Sequence, residues 1–296
     1  MASLATIKER IQSVEGIGQL TRALQAVSSS QVRQFRLLAE ETNPYIGMIR
    51  EVIGDVYNER EFYDEFPALS DPDDSLPVLI IFVSADRGLA GGYPANVFQA
   101  LTQLERQIPK PKKYVSVGKR GREMLLRRKR DLVADFSQLS SAHSFYDVST
   151  LAEMVSRAFQ AREYGEVYLV YTEYVSMGKL TPRSKRLLPL MDLLKEGGEA
   201  GAEKAKEARG GCIFDGDPQE FVFSMMRRCI RMTLFNAFVS AKACEHTARM
   251  LAMNQATENT KKLLGDLTLE FNNVRQQSIT NSILDIVTGS SAMMKD

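Results

Sequence analysis

The feature that most constrains this chain is an uninterrupted helical pattern near its C-terminus. Asp217 is a suitable N-cap, Pro218 suits the first helical position, and Glu220 completes a start that resembles a capping box. No proline follows, so the sequence predicts one helix over 218–292. At about 1.5 Å per residue it would be about 110 Å long, far beyond the roughly 8–20 residues usual in a globular domain.

Part of this helix carries a coiled-coil pattern, because Leu264, Leu267, Phe271, Val274 and Ser278 are spaced by 3, 4, 3 and 4 residues. A second helix is predicted over about 3–60, where no proline occurs before Pro44. Its apolar positions recur every three or four residues: Ile7, Ile11, Val14, Ile17, Leu20, Leu24 and Val27. Gly16 and Gly18 weaken this helix by about 1 kcal/mol each.

Neither helix can bury its apolar stripe alone, so we expect the two to pack against each other, antiparallel. The C-terminal helix is the longer, and its last turns should project past the N-terminal one. Apolar residues on this projecting part imply a partner that surrounds it. They are Ile279, Ile283, Ile286, Val287, Met293 and Met294.

Between the helices the pattern changes to alternating strands and helices. The continuous apolar run at 78–84 is typical of a buried parallel strand. Further strands are predicted at 114–117 and 167–171, and helices at 95–107 and 147–162. This alternation indicates a small, open, Rossmann-like α/β domain. The Gly-, Ala- and charge-rich residues 195–211 indicate a flexible linker.

The fold class predicted is therefore α/β, with a long antiparallel coiled coil of N- and C-terminal helices and a central Rossmann-like open α/β domain. The four parts are a coiled-coil helix at 1–60, the α/β domain at 77–195, a linker and lead-in loop at 196–216, and a coiled-coil helix at 217–296.

Composition excludes several classes of function. The net charge of +1 argues against a polycation that binds nucleic acid or membranes, and no apolar run approaches the roughly 20 residues of a membrane span. Residues 1–8 resemble neither a signal nor a transit peptide, so we expect the chain to stay in the compartment where it is made. Two histidines and three scattered cysteines, with no CxxC pair, give no zinc site.

Two charged segments leave alternatives open. The glycine-rich residues 86–92 follow a strand, as a phosphate-binding loop would, but they lack the Gly-Lys-Ser/Thr and GxGxxG patterns. A tight strand-to-helix turn is the simpler interpretation. The segment 110–130 holds ten Lys and Arg against one acid, Glu123. A solvated helix face is favoured there over a nucleic-acid patch, and contact with an acidic protein surface or lipid headgroups is a third interpretation.

Several segments, in order along the chain, resemble one family. Residues 7–14 and 19–24 resemble the opening of F-type ATP synthase gamma subunits, and residues 84–93 (SADRGLAGGY) resemble that family's DRGLCGG signature. Residues 214–218 (FDGDP) resemble its lead into the last helix. The strongest match is formed by residues 249–253, 256–259 and 272–280, and residues 286–289 complete it.

This resemblance implies the central rotor shaft of an F-type ATP synthase, which couples ion-driven ring rotation to ATP synthesis or hydrolysis without being an enzyme itself. It implies alpha, beta and epsilon subunits and a membrane c-ring as partners, and no cofactor, metal, nucleotide or nucleic acid. The chain would lie peripherally at the cytoplasmic face of a bacterial or archaeal plasma membrane. Implied contacts with the alpha and beta subunits are Leu24, Arg275, Gln276 and Thr280; implied contacts with the ring or epsilon are Phe214 and Asp215.

Two alternatives come from other classes of protein. A free-standing α/β enzyme with helical extensions would need titratable groups converging at the strand ends; Asp86 and Arg87 are candidates, but no nucleophile or base joins them. A generic coiled-coil scaffold would self-associate through its seam, but would leave the 86–92 loop and the Arg275–Gln276 pair unexplained.

Overall fold

The computed structural model describes residues 3–57, 72–137, 139, 145–190 and 218–293. The chain divides into two compact units. Met1–Ser28 with Arg249–Asp296 form one, here called the helical unit, and Ser29–Ala248 form the other, called the α/β unit. The elements are α1 (Leu4–Tyr57), β1 (Val78–Val83), α2 (Tyr93–Gln107), β2 (Lys112–Val117), α3 (Lys119–Arg127), β3 (Leu132–Asp135), a 3₁₀ helix (Phe145–Val148), α4 (Ser149–Gln160), β4 (Glu166–Ser176), β5 (Lys179–Leu188) and α5 (Pro218–Met293).

The two terminal helices confirm the sequence pattern. Helix α1 runs through Pro44 to Tyr57, and α5 begins at Pro218, where proline costs no helical hydrogen bond. The expected cap, Asp217, lies outside the described residues, as do Phe214 and Asp215. Within the described ranges, no helix combines the length and apolar character needed to cross a membrane.

The α/β unit contains a five-stranded sheet of order β3-β2-β1-β4-β5. Strand β1 is central and pairs in parallel with β2 and β4, which confirms the buried parallel strand. Strand β5 returns antiparallel to β4 as a hairpin. The domain boundaries near residues 60, 77 and 195 stay a prediction, because residues 58–71 and 191–217 fall outside the described ranges.

The sheet is covered on both faces, as the apolar run of β1 requires. Alternate residues Leu79, Ile81 and Val83 face a core shared with α4, with Phe35 of α1 and with the first half of α5. The residues between them, Val78, Ile80 and Phe82, face a second core built with α2 and α3. Each such side chain contributes about 1.5–3 kcal/mol when fully buried. This packing fixes the start of α5 against the sheet within the α/β unit.

A buried ionic cluster lies at the end of the sheet where strand β4 begins. The Glu166 side chain is only 8% exposed. It accepts hydrogen bonds from Lys110 Nζ at 2.5 Å and Tyr168 Oη at 2.7 Å, and Arg186 lies 3.5 Å away. Burial alone would raise the pKa of Glu166, but the Lys110 and Tyr168 hydrogen bonds and the charges of Lys110 and Arg186 lower it below 4.5. Burial and the bond to Glu166 raise the pKa of Tyr168 to about 12.

This cluster predicts a loss of stability in acid. A carboxyl group whose pKa is lowered by folding stabilises the native state fully above its unfolded pKa and loses that contribution as pH falls through the folded value. We expect the free energy of unfolding to fall more steeply below about pH 4.5 in the wild type than in Glu166→Gln, so the two curves converge. Urea titrations at a series of pH values measure this difference.

The matched control is Glu173→Gln. Glu173 pairs with Arg183 at 2.5 Å, but this pair is much less buried, with the two side chains 37% and 57% exposed. An exposed pair contributes under about 1 kcal/mol, so this variant should follow the wild-type acid limb. If Glu166→Gln also followed it, the cluster would not be a source of acid sensitivity.

Candidate functional site

The helical unit is held together by a seam with a seven-residue repeat. On α1 the positions facing α5 are spaced by alternating steps of four and three residues and are buried or half-buried: Ile7, Ile11, Val14, Gly18, Thr21, Gln25 and Ser28. On α5 the facing positions are Met253, Thr257, Thr260, Leu264, Leu267, Phe271 and Val274. The seam predicted at 264–274 is therefore confirmed. Ser278, its predicted last member, is exposed.

Three contacts define the direction and register of the pair. Gln25 Nε2 donates to Asn254 Oδ1 at 3.2 Å, and Thr257 Oγ1 bonds Thr21 Oγ1 at 2.9 Å. A Cβ placed on Gly18 would lie 3.0 Å from Cγ2 of Thr260. The numbers fall on one helix as they rise on the other, so the helices run antiparallel. Extending this register places Leu4, the start of α1, level with about Val274, so α5 continues past α1, as predicted.

The predicted stripe of α1 is wrong at three positions. Ile17, Leu20 and Val27 are 51%, 58% and 61% exposed. The seam instead uses Gly18 and Thr21, because small side chains let the helix backbones approach closely and hydroxyl groups can hydrogen-bond across the seam. The outer face of α1 consequently carries aliphatic side chains that the helical unit does not bury.

The two glycines of this stretch are predicted to respond oppositely to alanine. Nothing lies within 4 Å of a Cβ at Gly16, so Gly16→Ala should raise the free energy of unfolding by about 0.5–1 kcal/mol through helix propensity. At Gly18 the same gain is offset by the clash with Thr260, so Gly18→Ala should give no gain. Thermal melts followed by circular dichroism test the pair; equal gains would show that the helices do not approach at Gly18.

Beyond Val274 the apolar face of α5 changes sides. At about 100° per residue, the seam residues Leu267, Phe271 and Val274 fall within an arc of about 60°. Further along, Ser278 and Asp285 fall within the same arc, and Ser282 lies about 20° outside it. The apolar residues lie about 90° or more from its centre and are 52–70% exposed: Ile279, Ile283, Leu284, Ile286 and Val287. This apolar surface lies on a different side of α5 from the seam, so it is not part of the contact with α1.

The implied partner contacts fall at two levels of the helical unit. Arg275, Gln276 and Thr280 are all exposed, and they lie together within two turns of α5. The exposed apolar surface at 279–287 begins at the same level of the helix. Leu24 is half-buried beside the Gln25–Asn254 contact. Since Asn254 and Arg275 are separated by about 30 Å along α5, Leu24 does not join the other three. The predicted ring contacts Phe214 and Asp215 lie outside the described residues.

An open groove runs beside the seam between these two levels. Its volume is about 400 Å³, and Gly18, which has no side chain, is one of the residues that line it. It is lined by Glu15, Gly18, Gln19, Arg22, Thr257, Thr260, Lys261 and Leu264. Arg22 Nε donates to the Gly18 carbonyl at 3.1 Å. The walls of the groove thus carry charged and hydroxyl-bearing side chains, and both threonine hydroxyls are already hydrogen-bonded within the helical unit.

The α/β unit contains a buried ionic contact that the sequence did not predict. Asp86, in the loop after β1, pairs with Nζ of Lys242 on α5, and the same nitrogen lies 3.1 Å from Glu245 Oε2. The three side chains are 4–9% exposed. The available signal was a lysine within the run of small or apolar residues at 237–244 of α5. Asp86 thus has a structural partner, which weakens its case as an enzymatic residue.

Two groups near this ionic contact, the Cys244 thiol and the Tyr93 hydroxyl, have raised pKa values. Burial raises the pKa of the Cys244 thiol well above its ordinary value, so this cysteine is protonated and unreactive at neutral pH. Burial, with the nearby Cys244, also raises the pKa of Tyr93, whose hydroxyl donates to the Ala241 carbonyl at 3.2 Å. Leu89 and Gly91 have positive φ, at 63° and 55°. The loop is therefore a tight turn packed against α5, as the simpler interpretation holds.

Comparisons with known proteins agree with this geometry. A family model described as ATP synthase matches residues 3–293. The ATP synthase gamma chain of Alkaliphilus metalliredigens is 34% identical over 287 residues, covering 97% of each chain.

Among solved structures, a rotor chain of the Euglena gracilis mitochondrial ATP synthase has a TM-score of 0.61 at 14% identity, covering 93% of this chain and 98% of that one. A chain from the OSCP/F1/c-ring structure of the same enzyme has a TM-score of 0.64 at 15% identity, covering 98% and 94%. The fold is thus of the class found in ATP synthase rotors. Taken with the sequence matches, the chain belongs to the ATP synthase gamma chain family.

Proposed function

We propose that this chain is the central shaft of an F-type ATP synthase and couples rotation of a membrane ring to ATP synthesis or hydrolysis on alpha and beta subunits. The helical unit would lie inside a ring of three alpha and three beta subunits. Because its cross-section is asymmetric, each beta subunit would meet a different surface and hold a different conformation. Rotation would exchange these states, which is conformational coupling rather than chemistry by this chain.

The observation that carries this proposal is the apolar surface of α5 beyond Val274. Its side chains Ile279, Ile283 and Ile286 are 52%, 55% and 70% exposed, and their face is turned away from the seam. Contiguous exposed aliphatic surface marks an interaction site. A partner that encloses the helix would bury this face together with the outer face of α1 at Ile17 and Leu20.

The choice of partners is supported by the family and by the solved relatives. One structural neighbour is part of a complex described with OSCP, F1 and a c-ring. For this chain we propose alpha, beta and epsilon subunits and the c-ring as partners, with Phe214 and Asp215 near the ring and epsilon. The chain would reach the membrane only through this complex, at the cytoplasmic face of a bacterial or archaeal plasma membrane.

The shaft itself would have no catalytic or nucleotide site. The loop at 86–92 is the segment most like a phosphate loop, yet Asp86 pairs with Lys242, and one backbone N–H at the start of α3, that of Lys119, donates to Asp86. Neither ATP turnover by the isolated chain nor tight nucleotide binding is therefore expected. Turnover that disappears on changing Asp86 or Arg87 would favour the free-standing enzyme instead.

Co-expression with the alpha and beta subunits tests the proposal. The chain should co-purify with both, and the double variant Arg275→Ala, Gln276→Leu should lower ATP turnover of the complex by at least about tenfold. Arg275 can form a charge-assisted bidentate hydrogen bond with a carboxylate. Losing such a contact at a partly desolvated interface costs about 2–5 kcal/mol. Helix content of the free chain should not change, because both side chains are exposed.

The matched control is Gln277→Leu, the same substitution one residue further along. Gln277 is also exposed but lies about 100° around the helix from Gln276, nearer the polar arc. We expect wild-type turnover from this variant, with subunit stoichiometry measured for every complex. Full turnover by the double variant in a normally assembled complex would withdraw Arg275 and Gln276 as contacts.

A further inference from the structure

The contact between the loop at 84–92 and α5 is ionic at its centre. Lys242 Nζ pairs with Asp86 Oδ2 and lies 3.1 Å from Glu245 Oε2, with the lysine side chain only 6% exposed. The same nitrogen lies 5.7 Å from the ring centroid of Phe238, within the range of a cation–π contact. One buried cation therefore holds a carboxylate of the loop and a carboxylate of the helix at the same time.

Asp86 extends this contact to a third element. Its other oxygen, Oδ1, accepts the backbone N–H of Lys119 at 3.2 Å, and the neighbouring Ala85 carbonyl accepts the N–H of Arg120 at 2.9 Å. Both donors lie at the start of α3, whose N-terminal N–H groups favour an anionic partner. The carboxylate of Asp86 thus bridges α3 and α5.

The surroundings of the cluster are apolar and closely packed. Ala85, Ala90, Tyr93 and Cys244 are each less than 5% exposed and form one small core. On the adjoining strand, the backbone N–H of Tyr174 donates to Ser240 Oγ at 2.8 Å. Burial of this kind resists separation of loop and helix, but apolar contact is non-directional and resists sliding and twisting less strongly.

Charged hydrogen bonds add the direction that apolar packing lacks. Burying charges is costly, and replacing a buried ion pair with apolar residues is often neutral or stabilising. Stability alone therefore does not account for a lysine at this position. Resting on the proposed shaft function, we propose that Lys242 is a positioning residue: it fixes the 84–92 loop to α5, so that the α/β unit and the long helix turn as one body.

The proposal is tested by the stiffness of the assembled complex. A bead attached through Met177→Cys, at the exposed β4–β5 turn, reports the angle of the α/β unit in a surface-fixed complex with alpha and beta subunits, stalled without nucleotide. Lys242→Met keeps an unbranched side chain, one atom shorter, and removes its charge. We expect it to increase the variance of the angle at least about twofold, because variance rises as stiffness falls. Lys242→Arg, which keeps the charge, should restore most of the stiffness.

Two comparisons separate positioning from simple stability. Asp86→Asn should also increase the variance, and it serves where Lys242→Met fails to fold. Lys262→Met is the matched control, because Lys262 is exposed on the same helix and is not one of the residues that line the groove beside the seam. It should leave the variance unchanged. If Lys242→Met and Asp86→Asn lower the melting temperature but leave the variance at its wild-type value, the positioning role is overturned.

The wild-type complex distinguishes this proposal from the one on which it rests. If the unchanged chain assembles with alpha and beta subunits and the bead rotates on addition of ATP, the shaft function stands, and the variance alone decides the role of Lys242. If the unchanged chain does not assemble or rotate, the shaft function fails and the role of Lys242 fails with it.

Discussion

Gly118→Ala is expected to destabilise the α/β unit by at least about 3 kcal/mol. Gly118 has φ 106°, and a Cβ there would lie 2.3 Å from the carbonyl oxygen of Ser84. The backbone conformation alone costs about 1–3 kcal/mol for a residue with a side chain. The oxygen cannot move away easily, because the N–H of Ser84 is bonded to Val117 at 2.9 Å. Denaturant unfolding of the isolated chain measures the loss.

Gly178→Ala provides the control for this substitution. Gly178 lies in the turn between β4 and β5, and nothing is within 4 Å of a Cβ placed there. The free energy of unfolding of the Gly178→Ala variant should stay within about 0.5 kcal/mol of the wild-type value. A similar small effect at Gly118 would show that β2 and the loop after β1 do not approach as closely as described.

Leu267→Asp is the second substitution with a large expected effect, at about 3–5 kcal/mol. Leu267 is 7% exposed in the middle of the α5 seam, where an aspartate loses the apolar contact and buries a carboxylate without a partner. Circular dichroism melts should show the helical unit unfolding earlier. The variant should also fail to assemble with alpha and beta subunits, since their proposed contact surface depends on the helix pair.

Leu269→Asp distinguishes this effect from a general loss of hydrophobicity. Leu269 is two residues away on the same helix and 66% exposed. We expect a change of under about 0.5 kcal/mol in the isolated chain. If both variants lost equal stability, the seam would lie elsewhere on α5.

The long elements of the fold could be predicted because their signals are local. Absence of proline after Pro218 and the cap residues before it defined α5, and the apolar run at 78–83 defined the central strand. The side of α1 that is buried could not be read in the same way. Apolar periodicity selected Ile17 and Leu20, whereas the contact is made through Gly18 and Thr21, whose suitability depends on the residues opposite them.

Two strands were missed for a related reason. Strands β3 and β5 have no continuous apolar run, so each is specified by pairing with a neighbouring strand, β2 or β4, rather than by its own sequence. Helix α3, by contrast, lies within the charged segment at 110–130 that was interpreted as a solvated helix face. Lys242 and Asp86 are 156 residues apart, and sequence alone gives no reason to connect them. The partner contacts at Arg275 and Gln276 stay a prediction, since the groups they would bind belong to other chains.

The change of face on α5 beyond Val274 also bears on how the chain is made. Until partners bind, Ile279, Ile283 and Ile286 face water. The same face of a second copy is an apolar surface against which they could pack. We therefore expect surplus chain to aggregate or to be degraded rather than to persist on its own. A chain with an exposed apolar helix end of this kind therefore needs to be made in balance with its partners, or to be enclosed by them promptly.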